Sequence, residues 1–127
     1  MPKTHYLSDS ILNYLSKNGD FTQPESLYVA LFTAMPGAGG GGTEVSGGGY
    51  ARQPVAFSQS SSGEITNNAK ITFPDATANW GTIVGVGIFD SSTEGNLLCY
   101  DYLTQARQVL LGDSVYFNAG DLSWKES

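Results

Sequence analysis

Near the start of the chain the apolar positions recur every three or four residues, at Leu7, Ile11, Leu12 and Leu15. That spacing places them on one face of a helix. The pattern predicts a short helix over about residues 8–18, capped by Ser8 or Asp9, stapled by Tyr6 and stopped by Gly19. A helix of roughly two to three turns is marginal by itself. Its stripe must therefore dock, either on the domain's own core or on a neighbouring subunit.

After Pro24 the period changes to two. "SLYVALFTA" (26–34) is apolar on both faces, as a central strand is. "RQPVAF" (52–57) puts Val55 and Phe57 on one face, and Pro54 marks it as an edge or a bulge. "EITNN" and "AKITFP" come next, closely spaced around Asn67 and Asn68. In "WGTIVGVGIFD" (80–90), Thr82, Val84, Val86 and Ile88 alternate with Ile83, Gly85, Gly87 and Phe89. Its two glycines leave room for a ring or a backbone to approach. Trp80, at the head of this segment, is expected to be buried, with Gly81 allowing close approach beside it. "NLLCYDYL", "ARQVLL", "SVYF" and "LSW" complete the series, with turns at "SSTEG", at Gly112-Asp113 and at 118–121. Roughly seven to nine short strands with turn signals between them predict a mainly β fold. The expectation is a single antiparallel β-sandwich or barrel-like domain with one short N-terminal helix. No helical segment separates the strands, which excludes parallel crossovers.

At 127 residues the chain has room for one domain and one core. Eight of its 16 glycines fall between Gly37 and Gly49, inside the loop 35–53. Gly37, Gly39 and Gly42 formally satisfy G-x-G-x-x-G after a strand. A dinucleotide site also needs a helix to begin there. The chain continues instead as "TEVSGGGYARQP", with more glycines and a proline. Gly42 is succeeded by Thr43-Glu44 and not by the Lys and Ser or Thr of a P-loop. The loop reads as a long exposed connection that stays mobile or is ordered by packing on a neighbour. Tyr50 and Arg52 close it, an aromatic and a cation suited to anchoring against a partner.

Charge and composition remove several function classes. The net charge is −6, with six Lys and Arg and no basic run. Nucleic-acid binding draws on neutralised phosphates, so no nucleic-acid partner is expected, and an anionic membrane is disfavoured for the same reason. Apolar runs are too short to span a bilayer, and the N-terminus lacks a secretory h-region. The one cysteine, Cys99, has apolar neighbours and reads as a buried strand thiol; the one histidine, His5, reads as exposed. Zinc needs more Cys and His than these two, and no G-x-S-x-G elbow is present. Asp90, Ser91, Ser92 and Glu94 offer oxygens that suit Ca²⁺, but without an EF-hand pattern a hairpin turn is the better reading. Tyr100, Asp101 and Tyr102 suggest a sugar-stacking patch, which strand alternation spoils by placing Asp101 on the opposite face. No catalytic, cofactor-binding or metal-binding residue is therefore assigned, and no cofactor is expected.

Taken together, "LYVALFTAMPGAGGGGTEVSGGGYARQPVAF", "ITNNAKITFP", "ATANWGTIVGVGIFDSSTEGNLL" and "GDSVYFNAGDLSW" resemble a family of small tailed-bacteriophage proteins. These are usually described as phage tail-fibre-like structural proteins. The resemblance covers nearly the whole chain in order and spacing. It implies a virion component on the outer surface of the phage particle and brings no catalytic residues. What it carries over is a structural set: Thr43 to Gly49, Tyr50, Arg52, Trp80-Gly81 and Ile88 to Asp90. The run Gly39 to Gly42 is longer than the resemblance implies.

The expected function is thus a non-enzymatic virion module that assembles with itself and with a larger particle protein. It would be a homo-oligomer or a lattice-bound subunit. Its partner is a tail protein or, in the alternative of a capsid decoration (cement) protein, the major capsid protein. Interface residues are expected at Leu7, Ile11, Leu15, Thr43, Glu44, Val45, Tyr50 and Arg52. A second alternative is a carbohydrate-binding module built on Tyr50, Tyr100, Tyr102 or Trp124, with or without a calcium ion.

Overall fold

The segment that is apolar on both faces takes the central place. In the computed structural model, which describes residues 1–21, 23–59 and 62–125, strand β1 (Leu27–Ala34) lies between two antiparallel neighbours. On one side is β6 (Gly81–Phe89), from Tyr28 opposite Phe89 to Phe32 opposite Gly85. On the other, β3 (Gln53–Val55) pairs with the first half of β1 and β2 (Thr43–Glu44) with the second. Strand β7 (Leu97–Val109) pairs with β6 and completes a five-stranded sheet. Pro54 sits on this broken outer strand, where its missing N–H removes no ladder bond from the interior.

Two ribbons form a second layer. β4 (Glu64–Thr66) pairs with β9 (Ser123–Lys125), and β5 (Ile71–Thr72) pairs with β8 (Tyr116–Phe117). Their side chains and the flanking loops contribute Ile71, Phe73, Ala76, Val115 and Leu122 to one core with Val29, Leu31, Ile83, Val86 and Ile88 of the main sheet. The fold is mainly β and antiparallel, with one short N-terminal helix, as the pattern predicts. Asn67, at the junction of "EITNN" and "AKITFP", is 2% exposed. Its amide donates to the carbonyls of Ala69 and Asn118 (both 2.9 Å), and its Oδ1 accepts from the Leu122 amide at 2.9 Å. A buried amide satisfied this fully ties the two ribbons together at little cost.

Strict alternation fails in β6 and β7. Ile83, Val86 and Ile88 share the core, although Ile83 and Val86 differ in parity. The cause is a shift in register: between the pairs Ile83–Arg107 and Gly85–Tyr102, Val84 of β6 faces four residues of β7, Leu103 to Ala106. Consequently "NLLCYDYL" and "ARQVLL" are not two strands but one, broken by a wide bulge. The glycines of β6 do admit neighbours. A Cβ on Gly87 would come within 2.7 Å of the Phe32 ring and of Leu97.

The helix begins earlier than the sequence suggests. Helix α1 runs from His5–Leu15, and its N-cap is Thr4, neither Ser8 nor Asp9. The Thr4 hydroxyl donates to the Leu97 carbonyl at 2.7 Å and accepts from the Leu7 amide, while its own amide donates to the Leu98 carbonyl at 2.9 Å. Several residues near the start have cap chemistry, and the one fastened to β7 serves. Tyr6 thereby falls inside the helix and cannot act as the staple, and the helix ends at Ser16, before Gly19. Of the predicted stripe only Leu7 is buried; Leu12 and Leu15 are 62% and 69% exposed.

Candidate functional site

The glycine-rich segment is not one open loop. Its middle, β2, returns to the sheet beside β1, and the Val45 amide donates to the Leu31 carbonyl at 3.0 Å. This divides the segment into a tip, residues 35–42, and a flap, residues 45–52, that folds over the end of the core. Gly47, Gly48 and Gly49 all take positive φ (74°, 60° and 80°), a run that residues with a Cβ rarely adopt. The Gly48 carbonyl accepts from Trp80 Nε1 at 2.8 Å and from the Thr77 amide. A Cβ on Gly48 would lie 2.9 Å from the Trp80 ring. Trp80 is buried as expected, at 6% exposure. The close approach, however, is at Gly48: a Cβ on Gly81 would meet only Thr33, at 3.6 Å, and what glycine supplies there is the φ of +94°.

Glu44, Tyr50 and Arg52 converge beneath the flap. Arg52 grips the Glu44 carboxylate with two parallel bonds, Nε to Oε2 and Nη2 to Oε1, each 2.8 Å. Such a fork is the strong form of this pair. Arg52 Nη1 donates to the carbonyls of Ser91 (2.9 Å) and Glu94 (2.7 Å), and the guanidinium lies 3.5 Å from the Phe89 ring centroid. The Tyr50 hydroxyl donates to Glu44 Oε2 at 2.6 Å and accepts from the Leu31 amide at 3.0 Å. Its ring stacks on Phe73 and meets Trp80 edge-on. Burial first, and then the bond to the Glu44 carboxylate, push the Tyr50 phenol well above its ordinary value, so it stays a neutral donor.

The chain matches the family described as Podophage GP4 fiber I protein gp80 over residues 2–125. It belongs to this family. No curated protein is similar to it. The chain is therefore a phage tail-fibre-like structural protein and a component of the virion.

The expected interface residues of this fibre protein fall in separate places. Glu44, Tyr50 and Arg52 come together, but their polar atoms are taken up within the chain. Val45 is in the core, and Thr43 is exposed. Leu7, Ile11 and Leu15 lie apart on α1, linked to the tip by the bond from the His5 amide to the Ala38 carbonyl (2.7 Å). Periodicity and charge carry no hint of the partners that hold Arg52, because two of them are backbone carbonyls of a distant turn. That same turn is the one whose oxygens suit Ca²⁺ on sequence grounds. Its Asp90 carboxylate accepts from the Asn96 amide at 2.7 Å and from the Asn96 side chain at 3.1 Å, while Arg52 occupies its carbonyls. No group of three or more His, Cys, Asp or Glu converges among the described residues. Cys99 is a fully buried thiol, and His5 is exposed at the first helical position.

Proposed function

We propose that this fibre-family protein is a non-enzymatic module on the outer surface of the virion that assembles through the free face of α1. The observation that carries the reading is the helix itself. It has 11 residues and buries one of them, while Leu12 and Leu15 stand in solvent. Isolated helices of this length are marginal in water, and a second partner for the stripe would complete its burial. Ile11, Leu12 and Leu15 form the contact, while the exposed glycine tip is tied to the other end of the helix, at His5. Glu44, Tyr50 and Arg52 set the shape of the flap and reach the partner only through it. The occupant is another copy of the chain or a larger tail protein.

The experiment pairs composition with mutation. Copy number per particle, measured against the major capsid protein, should be that of a tail part, a few to a few dozen. Hundreds of copies would move the protein to the head as a decoration subunit. Replacing Leu12 and Leu15 together by Lys should leave circular dichroism unchanged and lower incorporation into particles or self-association. Undiminished incorporation would show that α1 is not the contact.

A further inference from the structure

We propose that Asn18, just past the end of α1, is a site of spontaneous covalent modification, in which attack by the Gly19 backbone nitrogen replaces the side-chain amide with a carboxylate. The modification goes beyond the docking of α1 and stands without it. Asparagine is among the thermolabile residues. The reaction needs a carboxamide in solvent, a following backbone N–H that no acceptor holds, and no side chain crowding the ring that closes. Asn18 is the only asparagine of the chain that glycine follows. The fold meets the other conditions. Asn18 and Gly19 are both exposed, and among the described residues the Gly19 amide donates to no acceptor.

The way α1 ends presents the pair in this state. Lys17 takes a positive φ of 65°, its amide donates to the Tyr14 carbonyl at 3.2 Å, and the Asn18 amide reaches back to the Asn13 carbonyl at 2.8 Å. These are the paired bonds of a Schellman ending. They finish at Asn18, so Gly19 is the first residue whose N–H is released from the helix. Asn18 Nδ2 donates to Ser16 Oγ at 2.9 Å, which holds the carboxamide close to the backbone. Elsewhere the nitrogen that would attack is engaged. The amide after Asn67 donates to the Ala56 carbonyl at 3.0 Å, and the amide after Asn79 to the Val109 carbonyl at 2.9 Å.

The chemistry balances with water as the co-reactant. The Gly19 nitrogen bonds to Asn18 Cγ, the Cγ–Nδ2 bond breaks, and the amide nitrogen leaves as ammonia with the proton that Gly19 gives up. Water then opens the cyclic imide at either carbonyl, which yields aspartate or isoaspartate. Either product puts a negative charge at the helix end whose dipole is already negative. Tyr14 and Leu15 border the same hollow as Asn18. If α1 docks as proposed above, the new charge falls at the edge of that contact and weakens it as the protein ages, because a carboxylate is costly to bury unpaired.

Ageing the purified chain in heavy-oxygen water at mildly alkaline pH, then digesting it with trypsin in ordinary water, tests the site by mass spectrometry. Cleavage after Lys17 and Arg52 frees residues 18–52, a peptide whose one asparagine is Asn18. Relative to an unaged sample it should gain the mass of an amide-to-acid exchange with heavy oxygen incorporated. Part of it should become a substrate for an isoaspartate methyltransferase. Gly19→Ala should slow the gain severalfold at an unchanged melting temperature: the φ of Gly19 lies outside the left-handed region, and a Cβ there would meet only Asn13 Cβ, at 3.6 Å. An unmodified Asn18 after ageing, or an equal rate in Gly19→Ala, would overturn the proposal. Asn18→Asp reads the consequence and should lower incorporation into particles. Normal incorporation of that variant, where the paired Leu12 and Leu15 replacement lowers it, would strike the effect on docking while the mass measurement still decides the modification.

Discussion

Single side chains hold this fold together at points where local rules are silent. Arg52 stabilises the flap by satisfying both a carboxylate and two carbonyls 39 and 42 residues further along the chain. Asn67 does the same for the ribbons, and losing its amide would strand several buried groups at about 1–3 kcal/mol each. Tyr50 has a consequence that can be measured by pH. Its folded pKa is raised, so the folded chain keeps a proton that the unfolded chain releases near the ordinary tyrosine value of about 10. The stability from this phenol is complete below that value and declines as the pH rises beyond it. Tyr50→Phe should cost about 1–3 kcal/mol at neutral pH, since the Leu31 amide and the Glu44 carboxylate each lose a partner. It should also flatten the fall in melting temperature between about pH 10 and 11. A wild-type slope that survives in Tyr50→Phe would assign the alkaline sensitivity to another tyrosine.

At the scale of elements, the glycine-rich segment separates into parts with different jobs. The flap is pinned to Trp80 through Gly48, so it belongs to the core. The tip is different: a Cβ on Gly39, Gly40 or Gly41 would meet nothing within 4 Å. Deleting Gly39 to Gly42 leaves 35–38 to join Ala34 to its partner Thr43, and four-residue loops are common in hairpins. The deletion variant should therefore fold with a melting temperature close to that of the parent, yet assemble less well into particles. Unfolding of this variant would show that the tip, like the flap, is a structural part of the domain. Helix α1 shows the opposite balance. Its cap is fixed by β7, but its last turn gains little from the domain, because every residue from Leu12 to Leu15 is exposed.

The molecule as a whole is a five-stranded sheet backed by two small ribbons, and its notable exposed apolar surface is the α1 stripe. If the stripe is covered in the virion, the folded state gains the binding energy and the unfolded state does not. The chain should then melt higher on intact particles than when purified under matched conditions; equal melting would count against a lattice or fibre contact of any strength. Much of this architecture is legible in the sequence. The central place of β1, the edge role of Pro54, the close approach of a ring to Gly87 and the burial of Trp80 each follow from a few neighbouring residues, because periodicity and backbone sterics act over short distances. Other features have no local signal. The choice of Thr4 as cap rests on Leu97 and Leu98, more than ninety residues away. The inward turn of Arg52 rests on carbonyls that any sequence would possess. The merging of "NLLCYDYL" and "ARQVLL" into one bulged strand arises from how β7 must fit β6 at Val84. Such features are decided by which distant groups the packed chain brings within hydrogen-bond reach, and only the tertiary structure states that.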